Sequence, residues 1–329
     1  MKKIFITGGA GYIGARLTPY LLKKKFKVTV YDTFYFGNTL PRNKNLTIVK
    51  GDIRNTKKLK KSCKNHDVFL HLACISNDTS YQLNEKLSKT INFDAFEPMV
   101  QAAKEQKIKR FIYASTSSVY GISKKKNVRE NHKLLPLTLY NKFKGMCEPI
   151  LFKYTDKNFE GVVFRPATVC GFSPKMRFDL SVNILTNFAY NKKFIKVFGG
   201  KQLRPNLHIS DYCDVVLKLI KAPSNKIKNQ IFNVGNQNMS IDNIAKLVKM
   251  TIEKKYKFKI NIVKSKSNDM RSYHINSDKI YKILKFKPKK NIKDAILEIC
   301  DGLKTKKITR SFTNLNYFNV EKLKKLKVK

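Results

Sequence analysis

Two side chains at helical spacing, Tyr140 and Lys144, could carry out acid–base chemistry. Residues four apart in a helix project from one face and lie beside each other. A free phenol has a pKa of about 10, and a neighbouring cation favours the phenolate. Tyr140 could then take or return a proton on a substrate hydroxyl near neutral pH. Because such a pair also occurs by chance in many helices, its interpretation depends on the segments that accompany it.

A row of hydroxyl side chains precedes this pair in the chain. The apolar run at 111–114 predicts a buried strand, and Ser115-Thr116-Ser117-Ser118 follows it directly. Open α/β sheets bind ligands at the carboxyl ends of their strands. We therefore expect these hydroxyls at the ligand-binding edge of a sheet.

The first fourteen residues predict a binding site for a diphosphate. The apolar residues 4–6 are typical of a buried strand, which stops at a glycine cluster and leads into an amphipathic segment. Strand, glycine turn and helix place a diphosphate on a helix N-terminus. Gly8 would permit the tight turn, Gly11 the approach of the backbone to the phosphates, and Gly14 close packing of helix and strand. A glycine triplet alone also fits an ordinary turn.

Two acidic residues extend this interpretation to a dinucleotide. A second strand over 28–31 ends at Asp32, 18 residues past Gly14. A carboxylate at this position would accept hydrogen bonds from the adenosine ribose. It would also repel a 2′-phosphate, so the sequence favours NAD over NADP as the cofactor. A third strand at 46–49 leads into Gly51-Asp52-Ile53, where Asp52 could meet the adenine edge.

The order of the predicted elements indicates an α/β fold, with a Rossmann-type doubly wound parallel sheet and a smaller C-terminal substrate lobe. Strands are expected near 3–7, 27–32, 46–50, 67–72, 110–115 and 161–165, and helices near 11–25, 55–64, 88–107 and 138–157. Later strands are expected near 194–198 and 207–210, and helices near 179–191, 211–221, 240–253 and 291–304. We expect a first domain at 1–166 to which parts of 207–234 return, a second lobe at 167–304, and a loosely packed basic tail at 305–329.

Composition restricts the classes of partner. The net charge of +45 comes mostly from lysines spread along the chain, with only ten arginines and no tryptophan. This pattern is typical of a lysine-rich genome rather than of a nucleic-acid surface, so we expect no nucleic-acid partner. No apolar run approaches the roughly 20 residues of a membrane span, which predicts no membrane partner. Six scattered cysteines predict reduced thiols, a cytoplasmic location and no metal site.

Together these segments make the chain resemble the extended short-chain dehydrogenase/reductase family, specifically the NAD-dependent sugar-nucleotide epimerases and dehydratases. The resemblance spans about 270 residues in collinear order. The matching segments are Thr7 to Gly14, Asp32, Gly51-Asp52, His71-Leu72-Ala73, Asn92, Ser115 to Gly121, Tyr140 to Lys144, Arg165-Pro166, Arg204, His208, Asp211, Asp269 and Arg271. The resemblance implies a nucleotide-sugar substrate and a homodimer built on the helices near 88–107 and 138–157.

The resemblance also implies roles for individual residues. Thr116 would hydrogen-bond the reacting hydroxyl, Tyr140 would be the base, and Lys144 would hold the cofactor ribose and lower the pKa of Tyr140. The implied cofactor-binding residues, besides Tyr140 and Lys144, are Gly8, Gly11, Tyr12, Ile13, Gly14, Asp32, Asp52, Ile53, Leu72 and Ala73. The implied substrate-binding residues are Asn92, Ser118, Arg177, Arg204 and Arg271. Guanidinium groups match phosphate oxygens bidentately, which favours Arg204 and Arg271 for the substrate diphosphate.

Position 118 separates the reactions of this family. Dehydratases and decarboxylases are expected to carry an acidic residue there, since elimination needs an acid, and fucose-type reductase-epimerases a cysteine. Ser118 supplies neither. We therefore favour a 4-epimerase or C4 dehydrogenase that forms a 4-keto sugar for surface-polysaccharide biosynthesis. A 4,6-dehydratase or reductase of the same family, and a non-catalytic NAD-binding protein, are the alternatives.

Several side chains have two interpretations or a minor predicted role. Residues 164–179 depart from the usual 4-epimerases and resemble oxidoreductases of surface-polysaccharide pathways, some of which act on nucleotide-linked heptoses. Within this segment, Arg177 is expected either to contact substrate or to pair with Asp179. Asn92 either reaches the catalytic residues through water or is a plain helix residue. The remaining expectations are structural His71 and His208, Asp211 as a helix N-cap, Cys74 and Cys170 near the site, a helix end or kink at Pro149, and Phe93, Phe96 and Met99 in a dimer interface or in the core.

Overall fold

The computed structural model describes residues 1–123, 127–266 and 272–326. Its strands are β1 (Lys3–Thr7), β2 (Lys27–Asp32), β3 (Leu46–Lys50), β4 (Val68–His71), β5 (Arg110–Ala114), β6 (Glu160–Pro166), β7 (Thr168–Cys170), β8 (Phe194–Phe198), β9 (Leu203–His208), β10 (Gln230–Val234), β11 (Gln237–Ser240) and β12 (Asn261–Ser265). Its α-helices are α1 (Gly14–Lys23), α2 (Thr56–Ser62), α3 (Asp78–Gln82), α4 (Glu85–Lys89), α5 (Phe96–Glu105), α6 (Leu139–Lys153), α7 (Ser181–Lys192), α8 (Ile209–Lys221), α9 (Ser224–Ile227), α10 (Ile241–Tyr256), α11 (Asp278–Leu284), α12 (Ile292–Lys304) and α13 (Asn319–Leu326).

Seven parallel strands form the central sheet in the order β10-β6-β5-β4-β1-β2-β3. Ile4 and Ile6 of β1 pack into the core on one face of this sheet, and Phe5 packs into the core on the other. A strand covered on both faces needs such an uninterrupted apolar run. The strand order reverses between β1 and β4, so a crevice opens there at the carboxyl ends of the strands. The predicted doubly wound parallel sheet is confirmed.

A smaller lobe follows the first six strands. It contains the three-stranded sheet β11-β9-β7 and the two-stranded sheet β12-β8. Helices α7, α10 and α12 pack together over a separate core that includes Val182, Ile195, Val248 and Ile296. Part of the chain returns to the first lobe, because α8 packs against α1 and β10 pairs in parallel with β6.

The long helix predicted over 88–107 is interrupted. Helices α4 and α5 are joined by a π-helical turn, Thr90–Asp94. Within α5, Phe96 and Met99 are both 1% exposed and belong to the core beneath the sheet, while Phe93 contacts the ring of Phe143. For Phe96 and Met99 the structure therefore selects the core over a dimer interface.

Helix α6 passes through Pro149, where the sequence predicted either an end or a kink, and it does not end there. Proline within a helix costs roughly 3 kcal/mol because it removes a backbone hydrogen bond and crowds the preceding turn. The two sides of Pro149 are anchored by tertiary contacts, since Glu148 pairs with the buried Arg165 and Leu151 is fully buried. The helix continues to Lys153.

The C-terminal segment is packed, so the prediction of a loose tail is wrong for its described part. Tyr317 and Leu323 are 7% and 9% exposed. The backbone N–H of Phe178 donates to the carbonyl of Tyr317, and their rings meet edge to face with centroids 5.8 Å apart. Aromatic side chains among the lysines supply this anchoring, which a count of charges did not reveal. Among the helices of the described ranges, none has the length and apolar character that crossing a bilayer requires.

Candidate active site

A cavity of about 880 Å³ opens at the carboxyl edge of the central sheet. Its lining comes from both lobes. The lining contains most of the predicted site residues, namely Gly8, Gly11, Tyr12, Ile13, Asp32, Asp52, Ile53, Leu72, Ala73, Thr116, Ser118, Tyr140, Lys144, Arg177 and Arg204. Ligand sites of open α/β sheets lie in this position.

The glycine turn between β1 and α1 has no room for side chains at two positions. Gly8 has a φ of +74°, and a Cβ placed there would lie 2.6 Å from the backbone N of Ala73. A Cβ on Gly14 would lie 2.3 Å from the carbonyl O of Gly9. Gly14 is not among the described residues that line the cavity, so its role is the close packing of α1 on the turn. A Cβ on Gly11, by contrast, would lie at an ordinary contact distance of 3.4 Å from the carbonyl O of Gly8, and Gly11 lines the cavity.

We expect Gly14→Ala to lower both stability and NAD affinity. The added methyl group has to move the start of α1 away from Gly9, and overpacking of this kind costs about 1–3 kcal/mol. Thermal unfolding and calorimetric NAD titration measure the two effects. Gly145→Ala in α6 is the matched control, because its Cβ would meet side chains rather than backbone, Leu134 at 3.2 Å and Val119 at 3.6 Å. Equal behaviour of the two variants would contradict the assignment of Gly14.

Asp32 is arranged to accept two further hydrogen bonds. Its carboxylate oxygens accept from the backbone N–H groups of Ala10 and Phe34 at 2.9 and 2.8 Å. Burial raises the pKa of this carboxyl, and these backbone donors act in the opposite direction. Each carboxylate oxygen keeps a second lone pair, which suits the two neighbouring hydroxyls of a ribose. These acceptor oxygens therefore fit the ribose hydroxyls in the adenosine half of NAD.

Asp52 is less free than the sequence suggests. Arg54 donates to both of its carboxylate oxygens, at 2.7–3.1 Å, and the Tyr31 hydroxyl donates to its carbonyl. Burial raises the pKa of Asp52, but the hydrogen bonds and charge of Arg54 outweigh it and lower the pKa overall. The carboxylate meets the cavity as one half of an ion pair.

The hydroxyls after β5 form a connected group. The Oγ1 of Thr116 and the Oγ of Ser118 lie 2.8 Å apart, and Ser118 in turn donates to the Oδ1 of Asn141. Asn141 is fully buried on α6, next to Tyr140 in sequence. Thr116 and Ser118 are thus fixed to the helix that carries the candidate base. The sequence analysis missed Asn141, although it lies between two residues that it selected.

Tyr140 lines the cavity at the start of α6, where Thr138 caps the helix. Burial raises the pKa of Tyr140 well above its ordinary value, and Cys74 and Asp78 act in the same direction. The Arg177 guanidinium opposes them. Lys144 donates to the carbonyl of Ala114 at 2.5 Å and lies 4.6 Å from the centre of the Tyr113 ring. The structure therefore adds Arg177 as a cation that favours the phenolate.

Arg177 forms the predicted pair with Asp179, and its contact with substrate stays a prediction. It pairs bidentately with Asp179 at 2.8 and 2.9 Å and donates to the Ser76 hydroxyl at 3.0 Å. The two side chains of this pair are 12% and 16% exposed, and both residues line the cavity. The ion pair with Asp179 keeps the Arg177 guanidinium where its positive charge lowers the pKa of Tyr140.

We expect Arg177→Met to move the limb of the pH–rate profile on which the rate rises with pH to higher pH. Arg177 lowers the pKa of Tyr140, so its removal raises that pKa and decreases the phenolate fraction at any given pH. A nearby opposite charge is worth about 1–3 pKa units. The pH dependence of kcat measures the shift; Arg177→Lys should restore much of it, and Asp179→Asn in the Arg177→Met background removes the carboxylate left behind. An unshifted profile would exclude this role of Arg177.

Three predicted substrate residues differ in outcome. Asn92 does not line the cavity: it is 3% exposed, and its amide group accepts from Ile75 N and donates to Ile75 O at 2.8 and 2.9 Å. Its amide is thus engaged by the backbone of this loop, and its role in substrate binding stays a prediction. Arg204 lines the cavity, and its guanidinium donates to the carbonyl of Leu203. Arg271 lies outside the described residues.

Histidines and cysteines near the site have structural surroundings. His71 is 3% exposed, lies 2.7 Å from the Thr7 hydroxyl, and has its pKa lowered well below the ordinary value by burial and by Lys144. Cys74 lines the cavity, whereas Cys170 is buried away from it, with its pKa raised by burial. The described part of the chain brings together no group of three or more potential metal ligands of the histidine, cysteine and carboxylate types.

His208, rather than Asp211, caps α8. The Nδ1 of His208 accepts from Ser210 N at 3.1 Å, and the ring is 1% exposed beside Glu298. The Asp211 carboxylate instead accepts from the backbone N–H groups of Lys289 and Lys290, at 2.9 and 3.0 Å. The predicted N-cap was wrong because Asp211 serves a loop that is distant in sequence.

A buried network of polar side chains adjoins the hydroxyls of Thr116 and Ser118. Glu148 of α6 pairs with Arg165, with side chains only 2% and 3% exposed, and accepts from the Ser115 hydroxyl at 2.6 Å. Arg165 also donates to the Tyr120 hydroxyl at 2.7 Å, which donates to Asn233. Ser115 directly precedes Thr116, so the network fixes the end of β5 relative to α6.

Comparison with known proteins identifies the family. Residues 4–235 match the sequence model of the NAD-dependent epimerase/dehydratase family. The protein belongs to this family. An uncharacterised UDP-glucose epimerase of Bacillus subtilis is 32% identical over 247 residues, which cover 71% of this chain and 76% of that protein. The UDP-N-acetyl-α-D-glucosaminuronate decarboxylase of Bacillus cytotoxicus is 29% identical over 258 residues, covering 74% of this chain and 78% of that protein.

Solved structures agree with this assignment. The UDP-glucuronic acid 4-epimerase of Bacillus cereus, solved with UDP-glucuronic acid and NAD, superposes with a TM-score of 0.78 at 26% identity, over 92% of this chain and 99% of that one. The predicted NAD-dependent sugar-nucleotide enzyme is confirmed at the level of the family. The roles of individual residues stay predictions from the cavity described above.

Proposed function

We propose that this protein oxidises C4 of a nucleotide-linked sugar and acts as a 4-epimerase or a C4 dehydrogenase. The observation that carries the proposal is the pair of hydrogen-bonded side-chain hydroxyls of Thr116 and Ser118. Asn141 holds this pair in place, and Thr116, Ser118 and Tyr140 all line the cavity. It offers a hydrogen-bond partner and a base for an alcohol, where elimination of water would require an acid.

The residues divide the chemistry between them. Thr116 orients the reacting hydroxyl, and Tyr140 takes its proton with the help of the nearby positive charges of Arg177 and Lys144. When bound, NAD supplies the acceptor for the hydride, with its adenosine ribose on Asp32 and its diphosphate on the glycine turn. In a 4-epimerase the proton returns from Tyr140 after the sugar has presented its other face.

The carboxylates in the cavity lining make a dehydratase the weaker alternative. They are Asp32, Asp52, Asp78 and Asp179. Asp32 accepts backbone hydrogen bonds, while Asp52 and Asp179 are paired with arginines. Asp78 accepts from the Thr138 hydroxyl at 2.5 Å. Each is engaged by donors that oppose its use as a free acid toward a leaving hydroxyl.

A panel of UDP-, GDP- and dTDP-linked sugars tests the function. We expect one of them to give either a product of unchanged mass with an inverted C4 centre, or a 4-keto product with reduced nicotinamide. Nuclear magnetic resonance and mass spectrometry distinguish these outcomes. A product that has lost water would show a dehydratase instead. The relatives named for UDP-sugars make UDP the first nucleotide to try.

We further propose a cytoplasmic homodimer that serves surface-polysaccharide biosynthesis. The six cysteines are free, and five are buried, which suits a reducing compartment. Leu135, Leu137, Leu139 and Met146 expose apolar surface on α6 and the segment before it, at 37–48% exposure. Such surface supports pairing with a second copy. Light scattering on the purified protein measures the oligomeric state, and a monomer would contradict this part of the proposal.

A further inference from the structure

Lys175 is a buried lysine in the lining of the cavity. It is 2% exposed. Its Nζ donates to the Oδ1 of Asn319 at 3.0 Å and lies 4.3 Å from the centre of the Phe36 ring. Both of these contacts are with neutral groups. A buried ammonium group is costly unless an opposite charge compensates it, so this arrangement is suited to an anionic ligand.

The charged groups around Lys175 compensate it only in part. Two carboxylates favour the ammonium form of Lys175: Asp32, at the end of β2, and Asp179, on the same loop as Lys175. Arg177 opposes the ammonium form. Burial is the largest influence and lowers the pKa of Lys175 to about 7. Part of the negative charge of Asp179 is already engaged by the bidentate pair with Arg177. A further anion beside Lys175 would therefore stabilise its ammonium form.

The position of Lys175 indicates which anion. Its electrostatic neighbours are Asp32, on the adenosine side of the cavity, and Arg177, which acts on Tyr140 on the reactive side. In a dinucleotide, the diphosphate joins these two sides. We propose that Lys175 binds the diphosphate of the cofactor and that Asn319 of the C-terminal segment positions it. The proposal requires NAD binding only and does not depend on which carbon is oxidised.

Asn319 connects Lys175 to the reactive side of the cavity. Its Nδ2 donates to the Ser76 hydroxyl at 3.2 Å, and Ser76 accepts from Arg177 at 3.0 Å. Asn319 is 5% exposed, at the start of α13, and lines the cavity. Tyr317 and Leu323 anchor this segment in the cores of the first lobe. The packed C-terminal segment thus completes the wall beside the cofactor half of the cavity.

If Lys175 contacts the diphosphate, NAD binding is accompanied by proton uptake, which a lysine that only fills space would not cause. Near pH 7 part of the Lys175 population is neutral in the free protein, and a bound diphosphate raises the pKa of Lys175 by favouring its charged form. NAD binding therefore takes up protons above neutral pH, and NAD affinity falls as the pH rises from 7 toward the raised pKa of the complex. Below pH 7 the ammonium form dominates and affinity changes little.

Calorimetric titration with NAD, ADP-ribose and adenosine tests the proposal. It should be run on the parent, Lys175→Met, Lys175→Arg and Asn319→Ala proteins, in buffers of different ionisation enthalpy. A charge-assisted hydrogen bond contributes about 1.5–3 kcal/mol, so Lys175→Met should weaken NAD and ADP-ribose binding about tenfold to a hundredfold. Adenosine affinity should not change, since adenosine carries no phosphate. Asn319→Ala should weaken NAD binding less, and Lys175→Arg should retain affinity without proton uptake.

Lys196→Met is the matched control, because Lys196 lines the same cavity from β8 and lies over the Phe198 ring. We expect it to bind NAD like the parent. The proposal is overturned if Lys175→Met binds NAD and ADP-ribose as the parent does. If Lys175→Met does not fold, the parent and Lys175→Arg decide: proton uptake by the parent that Lys175→Arg lacks supports the proposal, and proton-neutral binding by the parent from pH 6.5 to 8.5 overturns it.

Discussion

Tyr140→Phe should lower kcat by about 10²–10⁴-fold while NAD binding is retained. The substitution removes the phenol oxygen that we propose exchanges a proton with the substrate, and it keeps the ring at the start of α6. The ring lies 6.5 Å from the ring of Tyr81, a contact that phenylalanine preserves. A loss confined to kcat would show that the oxygen acts in the reaction.

Tyr81, whose ring neighbours that of Tyr140, supplies the control for this prediction. The Tyr81 hydroxyl is buried, and the described residues offer it no hydrogen-bond partner. Tyr81→Phe therefore removes a neighbouring phenol oxygen at little structural cost, and its activity should be close to that of the parent. Calorimetry confirms NAD binding in both variants. If Tyr140→Phe kept the parent rate, the assignment of the base would fail.

Glu148→Gln should lower the free energy of unfolding by about 3–5 kcal/mol. It leaves the Arg165 guanidinium, with a side chain 3% exposed, without its counter-charge. It also weakens the acceptor of the Ser115 hydroxyl, which is adjacent to Thr116. Denaturant unfolding measures the loss of stability, and kcat should fall with it because the end of β5 is no longer fixed.

An exposed ion pair supplies the contrast. Arg129 and Asp278 are 3.3 Å apart with side chains 55% and 52% exposed, so Asp278→Asn should cost at most about 1 kcal/mol. Removing both charges, as in Glu148→Met with Arg165→Met, should recover part of the loss, since no unpaired charge remains. Equal costs for Glu148→Gln and Asp278→Asn would show that burial of the pair is unimportant.

The parts of the fold that local sequence determines were predictable. Apolar runs bounded by glycine or charged residues located β1, β2 and β3 with their observed bounds, and the glycines after β1 located the turn that leads into α1. These features depend on neighbours in the chain. They survive in the structure because strand, turn and helix are the units from which the sheet is assembled.

What the sequence did not reveal depends on contacts between distant segments. Lys175 meets Asn319 across 144 residues, and Asp211 meets the Lys289 backbone across 78. The aromatic anchors of the C-terminal segment are outnumbered locally by lysines, so the segment was expected to be loose. Pro149 lies in a helix because tertiary anchoring on both sides exceeds its local penalty.

The most direct measurement of the central claim is a single turnover on a nucleotide-linked sugar that carries deuterium at C4. Oxidation at C4 predicts that, with the accepted sugar, deuterium leaves C4 and appears on the bound cofactor, which gains the absorbance of reduced nicotinamide, transiently so if the deuterium then returns to the other face of C4. In Tyr140→Phe this transfer should be slowed with NAD still bound. If the sugar is converted without any transient absorbance of reduced nicotinamide and without deuterium reaching the cofactor at any time in the turnover, the protein does not act by C4 oxidation.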